Sequence, residues 1–385
     1  MIVHARHTGP IERLLHLLSA VLHFFKSHAV LTIALIAAGF SMCLVPPDAA
    51  YLEYFDYKTL TCLFATLAVI CALRNIHFFT TVAQKIVRMA GNLRMTVLAL
   101  VYITFIGSML IANDMALLTF LPLGYFALSS TGQDKYMAPT FILQNIAANL
   151  GGMLTPFGNP QNLYLYTRFN IPNLEFMSIM LVPFLIAVAM ITVCCLFMPK
   201  KPMTMGEKVS DKLPAGRTAL YLVLFASTLL IVFRVIPYAV GLIVIPLVLM
   251  FADRDALRQV DYPLLLTFVA FFIFAGNMSR IDAVNNLFSN LLGKNTLLTA
   301  VASCQVISNV PSAILLSQFT DNYRALLVGV NIGGAGTLIA SLASLITFSE
   351  FTRHYPHKTG SYVAQFSAYN FGFLILLTIV CSFLV

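Results

Sequence analysis

Apolar residues run through this chain in long, nearly unbroken blocks, and polar residues gather between the blocks rather than along one face of them. Blocks fall at about 30 to 45, 60 to 73, 95 to 128, 137 to 167, 177 to 198, 218 to 233, 238 to 252 and 263 to 277, and apolar stretches recur to the C-terminus. A bilayer-spanning helix needs ~20 such residues, so the pattern predicts on the order of nine spans. Two of the longer blocks are interrupted in a way that a simple span is not. One breaks at Ala112-Asn113-Asp114, the other at Thr155-Pro156-Phe157-Gly158-Asn159-Pro160. Composition agrees with the pattern: 59% of residues are hydrophobic and 10% charged, against about 25% charged in soluble domains. The mean hydropathy is +0.87. The chain is therefore read as an integral membrane protein, which excludes a soluble enzyme, a nucleic-acid binder and a disordered tail.

Charge sets orientation. Residues 14 to 25 carry His16 and His23 among leucines and lead to Lys26. They predict an interfacial amphipathic helix within a cytoplasmic segment at 1 to 29, rather than a cleaved signal. Arg74, Lys85, Arg88 and Arg94 fall in a stretch without an acid, and Lys200, Lys201, Lys208, Lys212 and Arg217 crowd a later loop. Both basic stretches are expected in the cytoplasm. The chain must then cross an even number of times between them. That parity closes if 95 to 128 is a re-entrant hairpin, 137 to 167 crosses outward and 177 to 198 returns.

The interruptions recur in the same order in the second half. Residues 149 to 163 set against 331 to 345 without a gap at an offset of 182, with identities at Asn149/Asn331, Gly151/Gly333, Gly152/Gly334, Thr155/Thr337 and Leu163/Leu345. Gly158/Ala340, Asn159/Ser341 and Asn162/Ser344 are similar in size or chemistry. Upstream lie Ile111-Ala-Asn113-Asp114 in one half and Ile307-Ser308-Asn309-Val310 in the other. After Asn309 the apolar run 310 to 319 would reach only ~15 Å as helix, half a bilayer, so it must turn back. Counting spans onward from the Lys200 loop places this second hairpin's ends outside. The halves then run in opposite orientation, the arrangement expected of secondary transporters with a midplane site. The spacing from tip to break is unequal, 36 residues (113 to 149) against 22 (309 to 331).

Carbonyls freed at a helix break become ligands where they line a cavity. Those of 155 to 159 and 340 to 342, with the side-chain oxygens of Asn113 and Asn309, would suit Na⁺. The half-helix starts after Asn159 and Ser341 would turn partial positive charge toward an anion. The plainer reading is that Gly, Pro and Asn here only end helices or allow close packing. Asp114 is the single strong candidate for a charge at membrane depth, where a carboxylate is costly unless it binds a cation, hydrogen-bonds or carries a proton. Its plainer reading is a helix N-cap. All eight His lie outside the apolar blocks, no HExxH occurs, and no second core carboxylate is available for an aspartyl protease, so an intramembrane enzyme is not expected. The seven Cys contain no CxxC pair and read as small core residues.

The paired motifs resemble those of the ion transporter superfamily, which includes citrate-transporter-like proteins, divalent anion:sodium symporters and arsenite permeases. The resemblance covers about 30 to 385. In the anion symporters the tips read Ser-Asn-Thr and the breaks resemble Thr-Pro-Pro-Asn; here the tips are Ala112-Asn113-Asp114 and Ser308-Asn309-Val310, so both Thr positions are replaced. The Asn-Asp pair followed by Leu121-Pro122 is more similar to the arsenite-permease and sodium/proton-antiporter branch. The resemblance implies an all-α polytopic membrane protein: an inverted repeat of about nine transmembrane helices, two re-entrant hairpins and two broken helices. The first repeat spans 30 to 198, with hairpin 95 to 128 and broken helix 137 to 167. A cytoplasmic linker and connecting helix at 199 to 237 precede the second repeat at 238 to 385, with hairpin 296 to 319 and broken helix 323 to 348. The implied substrate and ion site comprises Asn113, Asp114, Thr155, Gly158, Asn159, Asn162, Ser308, Asn309, Thr337, Ala340, Ser341 and Ser344, with Na⁺ at Asn113, Asp114, Asn159, Asn309 and Ser341. The expected activity is secondary transport of a small carboxylate or inorganic oxyanion coupled to Na⁺ or H⁺, by elevator movement in a homodimer. Metalloid efflux, Na⁺/H⁺ antiport and a passive channel are the alternatives. No cofactor and no nucleic acid is expected, and the setting is the plasma (inner) membrane, N-terminus in the cytoplasm and C-terminus outside.

Overall fold

The computed structural model of the protein describes residues 28–203 and 213–384. The expected interfacial helix at 14 to 25 and the centre of the second basic loop lie outside the described residues. Within them the regular elements are helices, and one isolated antiparallel bridge joins Asn92 to Pro202. Six helical stretches are long and apolar enough to cross a membrane, and three shorter apolar helices accompany them.

The course of the chain can be followed between two ends. Helix α1 (Ala29–Leu44) leads to the acidic loop, where Arg280 Nη2 donates to Asp48 Oδ2 at 2.7 Å. The Arg280 guanidinium holds the Asp48 carboxyl below the usual carboxylate range. A depressed carboxyl contributes stability above that range and loses it as acid protonates the group, so this clamp holds at neutral pH. Helix α2 (Tyr57–Asn75) starts on Asp56, which accepts from Thr59 N at 2.9 Å, and returns to the basic end. There α3 (Phe78–Arg88) precedes Asn92, whose side chain accepts from Met95 N at 3.1 Å and caps α4 (Leu93–Ile111). Ala112 reverses the chain into α5 (Asn113–Ser129). This hairpin leaves where it entered: just beyond it, the Tyr136 ring lies 5.3 Å from Lys201 Nζ, and Leu93 N donates to Lys201 O at 2.8 Å. The two basic stretches thus meet at one end of the molecule.

Helix α6 (Met137–Gly151) stops mid-way, and α7 (Pro160–Arg168) completes the traverse to the opposite end. Helix α8 (Asn173–Leu196) returns, bringing Met198 O to 2.7 Å from Arg94 Nε. Helices α9 (Ala215–Val232) and α10 (Tyr238–Ala252) go out and back, the latter ending where Asp253 meets the Asn75 amide at 3.2 Å. A short α11 (Arg254–Arg258) leads to Asp261, the N-cap of α12 (Tyr262–Ser279). Helix α13 (Asp282–Ile307) is kinked at Asn295, whose side chain accepts from Leu298 N at 2.8 Å and so restarts the helix at the position expected for the second hairpin. Ser308 reverses it into α14 (Asn309–Leu316). Helix α15 (Tyr323–Ile332) again stops mid-way, α16 (Leu342–His354) completes the traverse, and α17 (Thr359–Cys381) closes the chain. The second broken helix thus runs six residues beyond the expected 348.

Burial follows from this arrangement. The apolar window of α2 is 72% buried, whereas those of α8, α9 and α17 are each 28% buried, so α2 is central and the others face outward. Outward faces are apolar: on α10 Val240, Ile243, Leu247 and Phe251 are all exposed. Apolar patches of this extent belong in lipid. The free Cys, Cys43 and Cys194 excepted, are buried.

The first break depends on two glycines. A Cβ at Gly158 would lie 2.8 Å from Gly152 Cα, a backbone contact that cannot be relieved by a rotamer. Gly158→Ala should cost about 1–3 kcal/mol of overpacking strain, read as a lower thermal unfolding midpoint of the purified protein in detergent. An unchanged midpoint would mean that the two backbone strands of the break do not touch.

Candidate functional site

The two hairpin tips share one backbone geometry. Ala112 has φ 66° and ψ 152°, and Ser308 has φ 75° and ψ 160°. That region is nearly reserved for glycine and costs of order 1–3 kcal/mol elsewhere. At each tip the next residue is an asparagine whose Oδ1 accepts the following N–H: Asp114 N to Asn113 Oδ1 at 3.0 Å, and Val310 N to Asn309 Oδ1 at 2.9 Å. Asp114 is therefore not the N-cap. Ala112 holds that position, and Asp114 sits in the first turn with a buried Oδ1 that has no hydrogen-bond partner.

The breaks match as well. Asn159 starts α7 from φ −134°, ψ 143°, and Ser341 starts α16 from φ −149°, ψ 143°. They are tied crosswise. Asn159 Nδ2 donates to Asn331 Oδ1 at 3.3 Å, while Ser341 Oγ donates to Asn149 Oδ1 at 2.7 Å. Asn331 Nδ2 in turn reaches Asn162 Oδ1 at 2.6 Å, and Asn162 Nδ2 reaches the broken-helix carbonyls Gly152 O at 3.1 Å and Thr155 O at 3.3 Å. Asn113 Nδ2 joins the same cluster through Asn149 Oδ1 at 3.2 Å. A buried amide without partners costs several kcal/mol. Here much of that cost is offset across the two halves, while Asn149 Nδ2 and Asn159 Oδ1 stay buried without a partner.

A cavity of about 490 Å³ opens between the tips, α1 and α12. Asn113, Asp114, Ser308, Asn309 and Ser341 line it, and Asp114 is the one charged side chain among the lining residues. Four helices begin at its wall: α5 at Asn113, α7 at Pro160, α14 at Asn309 and α16 at Leu342. Thr155, Gly158, Asn159, Asn162, Thr337, Ala340 and Ser344 are not in the wall. They support it from behind. Thr155 Oγ1 donates to Met109 O at 3.0 Å, Thr337 N donates to Gln305 Oε1 at 2.9 Å, Ala340 O accepts from Ser308 Oγ at 3.3 Å, and Ser344 Oγ accepts from Asn145 Nδ2 at 3.3 Å.

Comparison with known proteins fits this geometry. The citrate transporter family model matches residues 20–325, a stretch that contains both tips and the first break. The chain belongs to the citrate transporter family. Among its relatives, an uncharacterized transporter of Methanocaldococcus jannaschii is 34% identical over 295 residues, covering 76% of this chain and 80% of that protein. The Escherichia coli inner membrane protein YbiR is 27% identical over 328 residues, covering 81% and 85%. An uncharacterized transporter of Mycobacterium tuberculosis is 23% identical over 373 residues, covering 83% and 85%.

Several residues of this family member's site are not among those expected from sequence. Asn149 and Asn331 were visible only as repeat identities, and their crosswise partners show why the repeat carries them. Gln161 lines the cavity with a buried, unpartnered Oε1, and Gln305 holds the second break by donating from Nε2 to Gly333 O at 2.8 Å. Asn331→Ala strands Asn162 Oδ1 and leaves Asn159 Nδ2 only its bond to Asn149 O, and Asn149→Ala removes the acceptor of both the Ser341 hydroxyl and Asn113 Nδ2. Each stranded group should cost about 1–3 kcal/mol, seen as a lower unfolding midpoint in detergent. Unchanged midpoints in both variants would remove the crosswise ties from the account.

Proposed function

We propose that this protein is a secondary active transporter that moves a small anion, a carboxylate or inorganic oxyanion, across the inner membrane, coupled to the flow of H⁺ or Na⁺ down its gradient. The observation that carries the reading is the cavity wall, where four helix N-termini converge with one carboxylate and no Lys or Arg. Each N-terminus presents roughly half a positive charge, so an anion can be held without a cationic side chain. Asp114 beside it supplies the negative charge that binds the coupling cation. Substrate and cation then lower each other's binding cost, which is the basis of coupling.

The chain's course supports nine membrane traverses and two hairpins in two halves of opposite orientation, with the basic end in the cytoplasm and the C-terminus outside. The name of the Escherichia coli relative supports an inner-membrane setting. The tips and broken helices would move as one unit against a scaffold that includes α1, α2 and α12, in a homodimer. Cation/proton antiport is the second reading, favoured by the negative charge of the one charged group in the wall.

Purified protein in liposomes, given imposed Na⁺, H⁺ or electrical gradients, should accumulate at least one member of a panel of carboxylates and oxyanions. Asp114→Asn should lose gradient-driven uptake while keeping counterflow at equal ion concentrations. Na⁺/H⁺ exchange without anion movement would favour antiport, and gradient-driven uptake by the Asn variant at the unmodified rate would remove Asp114 from the mechanism.

A further inference from the structure

Asp114 is shared by two cavities. Adjoining the main cavity through Asp114, Pro160 and Leu264 is a second space of about 30 Å³, lined by Thr66, Asp114 and Asp261 among apolar residues that include Leu63, Leu67, Ile70, Met115 and Phe157. Its volume holds about two waters, and a buried water needs two to four polar partners. Three are present. Asp114 Oδ1 and Thr66 Oγ1 are both buried and unpartnered in this wall, Thr66 being only 7% exposed. Asp261 is the N-cap of α12: its Oδ1 accepts from Leu264 N at 2.9 Å. It stands at the basic end, next to Gln259, whose Oε1 accepts from Arg74 Nη2 at 3.2 Å.

We infer that this compartment is the route by which the coupling proton passes between Asp114 and the basic, cytoplasmic end of the molecule, with Asp261 as the outer station. The inference rests on the reading of Asp114 as the coupling group, and it takes the proton as the coupling ion. A hard metal cation takes about six or more oxygen ligands. The two carboxylates and one hydroxyl here carry five side-chain oxygens at most, one of which, Asp261 Oδ1, already accepts from Leu264 N, and the space suits a hydrogen-bonded water better than a bare cation. The step balances simply. The Asp114 O–H bond breaks as its proton passes to the enclosed water, that water gives up another of its protons to the Asp261 carboxylate, and Asp114 is left ionised. Reversal reloads it.

The other ionisable groups around the compartment are already engaged. From α2, Arg74 is held by Gln259 and its Nη1 lies 3.6 Å from Met115 Sδ, while Cys71 Sγ donates to Gln259 O at 3.3 Å. From the segment before α12, Asp253 accepts from Asn75 at 3.2 Å and from Tyr221 at 3.4 Å, and Asp255 pairs with Arg258 at 3.2 Å. On α5, Asp114 is the one ionisable side chain apart from Tyr125. On α7, Arg168 lies at the opposite end, beside Gln318.

The test needs no substrate. The full-length protein in lipid nanodiscs is followed by infrared spectroscopy over a pH series, and the band of a protonated carboxyl that Asp114→Asn removes is assigned to Asp114. On a switch to D₂O, the half-time of that band's isotope shift reads proton access. Asp261→Asn keeps the N-cap, and Thr66→Val keeps the shape; each should slow the shift by about tenfold or more, while Thr228→Val, buried on α9, should not. Exchange at the unmodified rate in both variants would overturn the route and leave the anion-transport reading to its own uptake assay. So would the absence of any Asp114-dependent carboxyl band across the pH series. Slow exchange in Thr228→Val as well would also overturn it, because the delay would then be a general effect of tightening the bundle.

Discussion

A helix interrupted at membrane depth exposes N–H and C=O groups that lipid cannot satisfy, and the way those groups are satisfied governs everything else in this molecule. The solution is reciprocal. The start of α7 is tied by Asn159 to Asn331 of the second half, and the start of α16 is tied by Ser341 to Asn149 of the first. Each helix start is tied to an asparagine of the other half, while the freed carbonyls are bonded within each half, Gly152 O and Thr155 O by Asn162 Nδ2 and Gly333 O and Ala335 O by Gln305 Nε2. The crossed ties hold the two breaks against each other, and the first tip joins the same network through Asn113. Low local dielectric strengthens such a network and makes any unpaired member expensive.

Once the breaks are fixed, the electrostatics of the cavity follow. Two broken helices and two hairpins turn four helix starts toward one space. Sequence reasoning anticipated two of these, after Asn159 and Ser341; the other two begin at Asn113 and Asn309, where tip residues Ala112 and Ser308 hold a backbone conformation that an L-residue disfavours. Strain of this kind survives only where the surroundings enforce it. Here it starts a helix directly at the cavity wall, and the polar character of the site comes from backbone rather than from charged side chains.

The helical class, the two tips and the two breaks were legible because their signals are local. Apolar block length, Asn-Asp and Ser-Asn at the tips, and the shared offset of 182 all sit in contiguous sequence. The unequal spacing between tip and break also has a local cause, since the return arm is 17 residues in α5 and 8 in α14. What was not legible depends on long-range contact. Asn149 and Asn331 looked like repeat markers, because nothing in a sequence says that each will face the other half's break. Asp114 stood out as a charge at membrane depth, but whether it also capped a helix was not legible, since cap position turns on the backbone of Ala112. Asp261 sat unremarked at the edge of an apolar block, and only the packing of α2 against the start of α12 brings it to the same small cavity as Asp114.

The central claim is that two halves of opposite orientation are joined at these crossed amides. Sided labelling tests it most directly. Leu52, exposed on the acidic loop, and Lys201, exposed on the basic loop, are each replaced by Cys in a background free of the seven native Cys, in cells and in inverted vesicles, and treated with a membrane-impermeant maleimide. Leu52→Cys should label only from the outside and Lys201→Cys only from the cytoplasmic side. Labelling of both from the same side would contradict the count of traverses from which the opposed halves follow.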